Sequence, residues 1–315
     1  MKKINNIKKI LAVFAMLLTA CTALQAQINW DGPQFLDVVY KTASGQDLRL
    51  DIHLPKDRAN APVVIYSHGG GWATGDKVPT GSARDVAEGL LEQGVAFVSV
   101  EYRLTNNTDI IMQDCITDVK DACRFISKNA ALYNVNHREM AHFGDSAGAH
   151  IGMVCALTSQ GFSAFRGASE LSDFSTFSIR GCVAYYGPTS FRPTNETFWT
   201  RGGRSLAGFN LRIFGQETSE TQQLYLQNLV SPILYMAENS PPLFLVSGEK
   251  DSTIPVYHTY GMRTMANTVN NRDFSYLIVN GAGHNFLQAG DSAIFPSNTE
   301  IVDQTIAKVL SFFFD

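Results

Sequence analysis

A strand-to-helix junction around Ser146 constrains the fold of this chain more than any other feature. Residues 144–148 read Gly-Asp-Ser-Ala-Gly, after the apolar run Met140–Phe143 and before an apolar helical pattern that begins at Ala147. Glycine has no Cβ atom, so the two flanking glycines let a strand and a helix approach closely while the serine holds a strained backbone. The pattern therefore predicts a sharp turn that exposes the Ser146 hydroxyl at the carboxyl end of a buried strand.

Strands and helices alternate on both sides of this junction. A polar–apolar alternation predicts an antiparallel hairpin whose turn is Ser44-Gly45, and continuous β-branched runs predict strands that are buried on both faces. The predicted strands are 37–42, 47–54, 62–67, 95–100, 140–143, 179–186, 243–247 and 274–279, and the predicted helices are 82–93, 112–129, 147–158, 256–270 and 300–314. This order predicts an α/β fold with a mainly parallel sheet, helices on both faces, and strand-end loops gathered along one rim.

Two segments do not follow the alternation. They cover about 160–180 and 187–231, and both are rich in Phe, Ser, Thr and Gly. We interpret them as insertions that form a small cap or lid on one domain of residues 28–315. Long surface loops are the alternative interpretation.

The first 26 residues predict an export signal rather than part of the fold. A short apolar core, Ile10–Leu18, follows a lysine-rich start and is too short for a stable bilayer span. Leu18-Thr19-Ala20-Cys21 resembles a bacterial lipobox, which would remove residues 1–20 and leave a lipid anchor on Cys21. Leu24-Gln25-Ala26 resembles an ordinary signal-peptidase site instead. Either route predicts a periplasmic, outer-membrane-anchored or secreted bacterial protein.

The charge of the exported part argues against nucleic-acid binding. Loss of the four lysines among the first 26 residues leaves 21 basic against 29 acidic residues and a net charge of −8. The remaining cysteines contain no CxxC pair, so neither a metal site nor a disulfide framework is expected. Their apolar surroundings predict buried free thiols at Cys115, Cys123, Cys155 and Cys182.

An exposed serine at such a turn needs a base to remove its proton, and histidine is the usual one. Where the order along the chain is serine, acid, histidine, only His258 and His284 qualify. His284 lies in a glycine-rich loop just after a predicted strand, which favours it as the base. His258 falls within a helical pattern and is predicted to lie on the helix surface. His150 lies one helical turn after Ser146 and is predicted to pack against or orient that helix.

Asp251 is the best candidate for the acid. It follows the predicted strand 243–247 by four residues, at the rim where His284 is expected. Glu249 is the nearest alternative, but its place in a tight turn directs it less clearly at the rim. Asp273 precedes a strand and belongs at the opposite edge of the sheet.

Ester or amide hydrolysis also requires hydrogen-bond donors for the oxyanion of the tetrahedral intermediate, each contributing about 3 kcal/mol. The backbone N–H of Ala147, directly after the serine, is one candidate. The His68-Gly-Gly-Gly71 loop follows the predicted strand 62–67, and its glycines allow N–H groups to turn inward.

These residues together resemble a known group. The motifs are His68-Gly-Gly-Gly-Trp72, Glu101-Tyr-Arg103, Gly144-Asp-Ser-Ala-Gly148, Ser231-Pro232 and Gly283-His284. They are similar to those of the HGGG-type, hormone-sensitive-lipase-like esterases of the α/β-hydrolase superfamily, and above all to the bifunctional feruloyl and acetyl-xylan esterases. The resemblance extends from about Phe35 to the C-terminus and is weakest from 160 to 230.

The resemblance implies a serine esterase with Ser146 as nucleophile, Asp251 as acid and His284 as base. It further implies Gly70, Gly71 and Ala147 as oxyanion donors, no cofactor and no metal. Together with the export signal it favours a small ester or an acylated plant-type saccharide as substrate. Aromatic rings that could stack on a sugar or feruloyl group are those of Trp72, Tyr186 and Trp199, although these are equally typical of ordinary core or lid positions.

Other functions fit parts of the same pattern. Lipases, short-chain esterases and serine exopeptidases share the fold and the three catalytic residue types. A catalytically silent binding protein of this fold typically lacks one of the three, and here all three are present.

Overall fold

A computed structural model describes residues 28–106, 109–159, 165, 177–192, 195, 197–200, 214, 219–289 and 294–314. In these residues eight strands form one sheet. The strands are β1 (Gln34–Ala43), β2 (Gln46–His53), β3 (Ala61–Ser67), β4 (Ala96–Val100), β5 (Val135–Asp145), β6 (Ile179–Tyr185), β7 (Leu243–Gly248) and β8 (Phe274–Val279).

Helices connect the strands and cover the sheet. They are α1 (Ser82–Glu92), α2 (Met112–Lys128), α3 (Ala147–Leu157), α4 (Thr197–Thr200), α5 (Glu220–Leu229), α6 (Tyr257–Thr268) and α7 (Asn298–Phe314). Among the described residues, short 3₁₀ helices span Pro232–Tyr235 and His284–Phe286. None of the helices in the described ranges is long and apolar enough to cross a membrane.

The strand order across the sheet is β1-β2-β4-β3-β5-β6-β7-β8. The pairs β1–β2 and β2–β4 are antiparallel, and every later pair is parallel. The α/β fold with a mainly parallel sheet is thereby confirmed. Because the parallel strands end at one edge, the loops that follow β3, β5, β7 and β8 meet there.

Alternate residues of each central strand enter two separate hydrophobic cores. In β3, Val63 and Ile65 belong to the core that contains α2 and α3, whereas Val64 and Tyr66 belong to the core that contains α1 and α7. A strand with an apolar core on each face must be apolar throughout, which explains the uninterrupted β-branched run of β3.

The predicted strand at Met140–Phe143 is longer in the structure. β5 begins at Val135, and its pairing with β3 shifts register between Ala61–Val135 and Val63–Met140. The polar residues Asn136 to Glu139 conceal this first part of the strand in the sequence, because they lie at the partly exposed start of β5.

Other sequence predictions fall partly or wholly outside the described ranges. The export signal lies outside them, as do most residues of the segments 160–180 and 187–231. The described part of the second segment contains α4 and α5, and a cap formed by these insertions stays a prediction. The four cysteines predicted to be buried free thiols are buried and free: Cys115, Cys123, Cys155 and Cys182.

Candidate active site

The turn at Ser146 joins β5 directly to α3. Ser146 has a φ of 50°, a left-handed value that is uncommon for a residue with a side chain. Its N–H donates to the carbonyl oxygen of Tyr185 at 2.8 Å. A Cβ atom on Gly148 would lie 1.9 Å from the carbonyl oxygen of Ser67, and one on Gly144 would lie 2.6 Å from the carbonyl carbon of Gly148. Close packing of β3, β5 and α3 therefore requires both glycines.

Ser146, His284 and Asp251 form one hydrogen-bonded series. Nε2 of His284 lies 3.1 Å from Oγ of Ser146, and Nδ1 lies 2.7 Å from Oδ2 of Asp251. The carboxylate accepts at Nδ1, so Nδ1 carries the proton and Nε2 is free to accept the serine proton. The N–H groups of Thr253 and Ile254 donate to Oδ1 of Asp251 at 2.7 and 2.8 Å, which fixes the carboxylate.

The rival candidates for acid and base lie elsewhere. Glu249 accepts a hydrogen bond from the N–H of Gly281 at 3.1 Å and so braces the loop before His284. Asp273 directly precedes β8, at the edge of the sheet opposite Ser146. The prediction that His258 lies on a helix surface is wrong. Its side chain is buried, and its Nδ1 accepts from the N–H of Thr189 at 3.1 Å.

Burial explains why the His258 ring carries no charge. It lowers the pKa of the ring to about 3, so the imidazole is neutral. The ring of Trp199 contacts it edge-on, with centroids 4.4 Å apart. Helix periodicity alone does not reveal which face a neighbouring segment covers, and here that segment includes Thr189 and Trp199.

His150 packs below the serine as predicted, and its contacts are specific. Its Nδ1 accepts from Nε1 of Trp72 at 3.2 Å, and its Nε2 lies 2.6 Å from the carbonyl oxygen of Val230, to which it donates. Burial lowers the pKa of His150 to about 4, which keeps the ring neutral and both bonds intact. His150 thereby joins α3 to the loop after β3 and to the end of α5.

The glycine loop after β3, residues 68–72, lies against the serine turn. Gly70 and Gly71 have φ values of 113° and 60°, in the region that favours glycine. Ala147 is the first residue of α3, so its N–H has no carbonyl acceptor within that helix. The family resemblance assigns the N–H groups of Gly70, Gly71 and Ala147 as oxyanion donors. The structure places the glycine loop and the start of α3 on the same rim.

Asp145, which sequence reasoning missed, connects the loop to the turn. Its Oδ1 accepts hydrogen bonds from the N–H of Gly69 at 3.2 Å and from the hydroxyl of Tyr66 at 2.7 Å. Burial raises the pKa of the Asp145 carboxyl, while these two hydrogen bonds and the nearby His284 favour the charged form. The sequence signal for this role was the acidic residue directly before the serine in the Gly-Asp-Ser-Ala-Gly motif.

All three aromatic residues proposed to stack on a substrate are buried, and Tyr186 is 7% exposed. Trp72 and Trp199 are 2% and 0% exposed, and Nε1 of Trp199 donates to the carbonyl oxygen of Ser190. Stacking on a ligand is therefore wrong for both, because protein already covers their rings. Tyr186 packs against His284, with ring centroids 4.6 Å apart, and a substrate contact there stays a prediction.

Comparison with known proteins gives the same family. The BD-FAE family model matches residues 50–265. Esterase LipC of Mycobacterium tuberculosis is 28% identical over 239 residues, which cover 75% of this chain and 56% of LipC. The chain thus spans about half the length of the curated relatives that it matches.

Solved structures share the fold at low identity. A thermophilic esterase from Thermogutta terrifontis has a TM-score of 0.65 at 19% identity, covering 88% of this chain and 90% of that protein. A truncated carbohydrate esterase from gut microbiota has a TM-score of 0.66 at 18% identity, covering 89% and 97%. These two likenesses show a shared fold.

Proposed function

Because the chain belongs to the BD-FAE family of α/β-hydrolase esterases, we propose that it is an exported serine esterase that removes acetyl or feruloyl groups from plant-type saccharides. The observation that carries the reaction type is the series Ser146–His284–Asp251, with its contacts of 3.1 and 2.7 Å. The carbohydrate esterase among the structural neighbours and the predicted export signal support the substrate class.

The proposed reaction begins with acylation of the enzyme. Oγ of Ser146 attacks the ester carbonyl carbon while Nε2 of His284 takes the hydroxyl proton. Asp251 holds Nδ1 and stabilises the imidazolium that results. The carbonyl oxygen, now an anion, accepts hydrogen bonds from the N–H groups of Ala147 and of the glycine loop. The carbon–oxygen bond to the alcohol then breaks, and His284 returns the proton to the leaving alcohol.

Deacylation repeats these steps with water. His284 takes a proton from a water molecule, which attacks the acyl carbon and forms a second oxyanion in the same place. Collapse of this intermediate breaks the bond to Oγ, and the proton on His284 returns to Ser146. The carboxylic acid leaves and the enzyme is restored.

A substrate panel tests the proposal. Purified protein is assayed on acetylated xylan, a feruloylated arabinoxylan oligosaccharide, p-nitrophenyl acetate and butyrate, and an aminoacyl p-nitroanilide. We expect release of acetate or ferulate from the saccharides and none of p-nitroaniline. Cleavage of p-nitrophenyl butyrate without action on either saccharide indicates a general short-chain esterase or lipase, and cleavage of the anilide indicates an exopeptidase.

Two variants test the residues. Ser146→Ala should abolish ester cleavage, and Asp251→Asn should lower kcat by about 10³–10⁴-fold, because the imidazole would adopt the wrong tautomer. The Asn side chain can still accept from the N–H groups of Thr253 and Ile254 through Oδ1, so folding is retained. Unchanged hydrolysis by Ser146→Ala contradicts the mechanism, and a wild type inert to every ester favours a binding protein.

A further inference from the structure

A cavity of about 280 Å³ lies beside the glycine loop and plays no part in the proposed reaction. Its walls come from the start of β2, from the glycine loop and the turn that follows it, and from the residues after β4. Among the lining residues are Asp47, His68, Asp76, Glu101 and Tyr102. Glu101 and Tyr102 belong to the Glu-Tyr-Arg motif, which has no role in the proposed reaction.

The cavity lies on the same rim as Ser146. β2 runs antiparallel to β4, so the start of β2 and the end of β4 are neighbours at the edge where β5 ends. β3 alone separates β4 from β5. Since neighbouring strands are about 4.8 Å apart, the end of β4 is about 10 Å from the end of β5. A saccharide bound both at Ser146 and in the cavity would have to span about this distance.

His68 presents an open acceptor at the wall. The side chain is only 5% exposed, and its ring is stacked on Tyr102 with centroids 4.3 Å apart. Nδ1 lies 2.7 Å from the carbonyl oxygen of Gly69 and must donate to it, which leaves Nε2 as the acceptor. Nε2 has no hydrogen-bond partner among the described residues. Burial lowers the pKa of His68, so the ring stays neutral and the acceptor is retained.

Glu101 adds a second open acceptor. One carboxylate oxygen, Oε2, accepts from the N–H of Arg49 at 3.1 Å, and the other has no partner within the described part of the chain. Asp76 is exposed at the mouth, where its Oδ1 accepts from the N–H of Val78. The cavity thus presents several acceptors that have no donor within the described residues, and an occupant with matching donors can bind there by hydrogen bonds.

An occupant that supplies several donors matches this lining best. A divalent cation is disfavoured, because no group of three or more His, Cys, Asp or Glu side chains in the described ranges is arranged to hold a metal ion. A sugar ring carries several O–H donors and fits a volume just below the usual range of about 300–1,000 Å³ for small-molecule sites.

We propose that this cavity is a subsite that binds a sugar ring of the substrate through hydroxyl hydrogen bonds to Glu101, Asp76 and Nε2 of His68. The subsite rests on the proposed function, since it places the acylated sugar at Ser146 and the neighbouring sugar in the cavity. It extends that function by giving the enzyme a means to select oligosaccharide esters over simple alkyl esters.

The substitution Glu101→Gln tests the subsite. The amide oxygen of glutamine can still accept from the N–H of Arg49, while the other position changes from acceptor to donor. Binding of unacylated xylotriose is measured by calorimetry in the full chain carrying Ser146→Ala, with and without Glu101→Gln. We expect Kd to rise at least about tenfold, because a hydrogen bond to a charged group is lost.

Kinetics gives a second readout with an internal comparison. Glu101→Gln in the active enzyme should raise KM for acetylated xylo-oligosaccharides by about tenfold and change kcat/KM for p-nitrophenyl acetate less than about twofold. The variant Asp76→Asn, at an exposed position, keeps the hydrogen bond from the N–H of Val78. It should also raise KM for acetylated xylo-oligosaccharides, but by less than Glu101→Gln does. Glu139→Gln, a half-buried glutamate at the opposite edge of the sheet, serves as matched control and should change neither.

The outcomes separate this inference from the proposed function. The subsite is overturned if xylotriose does not bind, or if neither Glu101→Gln nor Asp76→Asn weakens its binding. Either result holds even if the wild type cleaves p-nitrophenyl acetate. Calcium binding that Glu101→Gln removes also overturns it, since the cavity would then be a cation site. A wild type that cleaves no ester overturns the proposed function, whereas xylotriose binding is still measured independently of hydrolysis.

Discussion

Gly69 has no side chain because none fits beside Asp145. A Cβ atom there would lie 2.4 Å from Oδ2 of Asp145 and 3.2 Å from its carbonyl oxygen. The same closeness allows the N–H of Gly69 to reach Oδ1 of Asp145. The glycine loop is therefore held in position by the residue next to the nucleophile.

Gly69→Ala tests this coupling. The added methyl group must push the loop away from Asp145, which displaces the oxyanion donors and should lower kcat for p-nitrophenyl acetate by about 10²–10³-fold. Steady-state kinetics measures the loss. Gly45→Ala at the β1–β2 turn is the control for a methyl group added away from Asp145, because Gly45 has a φ of 75° and nothing near its Cβ position. The control should lower stability slightly and leave kcat unchanged, and a Gly69→Ala variant with normal kcat contradicts the coupling.

At the scale of elements, a buried network of ion pairs joins β1, the residues after β4, and α2. Asp118 lies at its centre and accepts from Lys41 at 2.7 Å and from Nε of Arg103 at 2.7 Å. Lys41 also pairs with Asp121, which pairs in turn with Arg124. Arg103 of the Glu-Tyr-Arg motif is thus structural, since it fixes the segment after β4 to α2.

Asp118→Ala should therefore destabilise the fold without altering the chemistry. Its removal leaves Arg103 and Lys41 with fewer partners in a buried setting, and breaking a buried pair costs about 3–5 kcal/mol. Urea unfolding followed by circular dichroism measures the free energy of unfolding, and kcat is measured on the folded fraction. Asp31→Ala removes an exposed pair with Lys56 and should leave the unfolding midpoint unchanged. Equal stability of the two variants contradicts the structural importance of the network.

At the scale of the whole molecule, three of the buried histidines have strongly lowered pKa values. Burial lowers the pKa of His142 to about 3, of His150 to about 4 and of His258 to about 3. In the unfolded chain each titrates near 6.5. The folded state therefore binds fewer protons than the unfolded state at mildly acidic pH.

Stability should accordingly fall on acidification. The contribution of these histidines is fully present above about pH 6.5 and is lost as the pH falls toward 4, with a slope of up to about 4 kcal/mol per pH unit. The raised pKa values of Asp145 and Glu101 act in the opposite sense and reduce the slope at the acid end. Urea unfolding at several pH values between 7 and 4.5 measures the slope of the free energy of unfolding against pH. His258→Gln should reduce the slope by about 1.4 kcal/mol per pH unit, and an unchanged slope contradicts the assignment.

Local patterns were enough to predict most of the fold. The hairpin turn at Ser44-Gly45, the buried run of β3 and the strand-to-helix turn at Ser146 follow from alternation, β-branching and the two glycines, all of which act between near neighbours. The start of β5 at Val135 was missed because its polar residues do not show a strand pattern, although the neighbouring β3 pairs with it.

The sequence by itself determined the order of the elements and the order Ser146, Asp251, His284, because strand ends and turn residues are set by local chemistry. Tertiary structure decided which side chains meet across long separations in the chain. Nε2 of His284 reaches Ser146 across 138 residues, Asp145 reaches Gly69 across 76, and Trp72 reaches His150 across 78. Such contacts depend on how the strands are ordered in the sheet, so burial of Trp72 and His258 and the cavity beside His68 appear only in the folded chain.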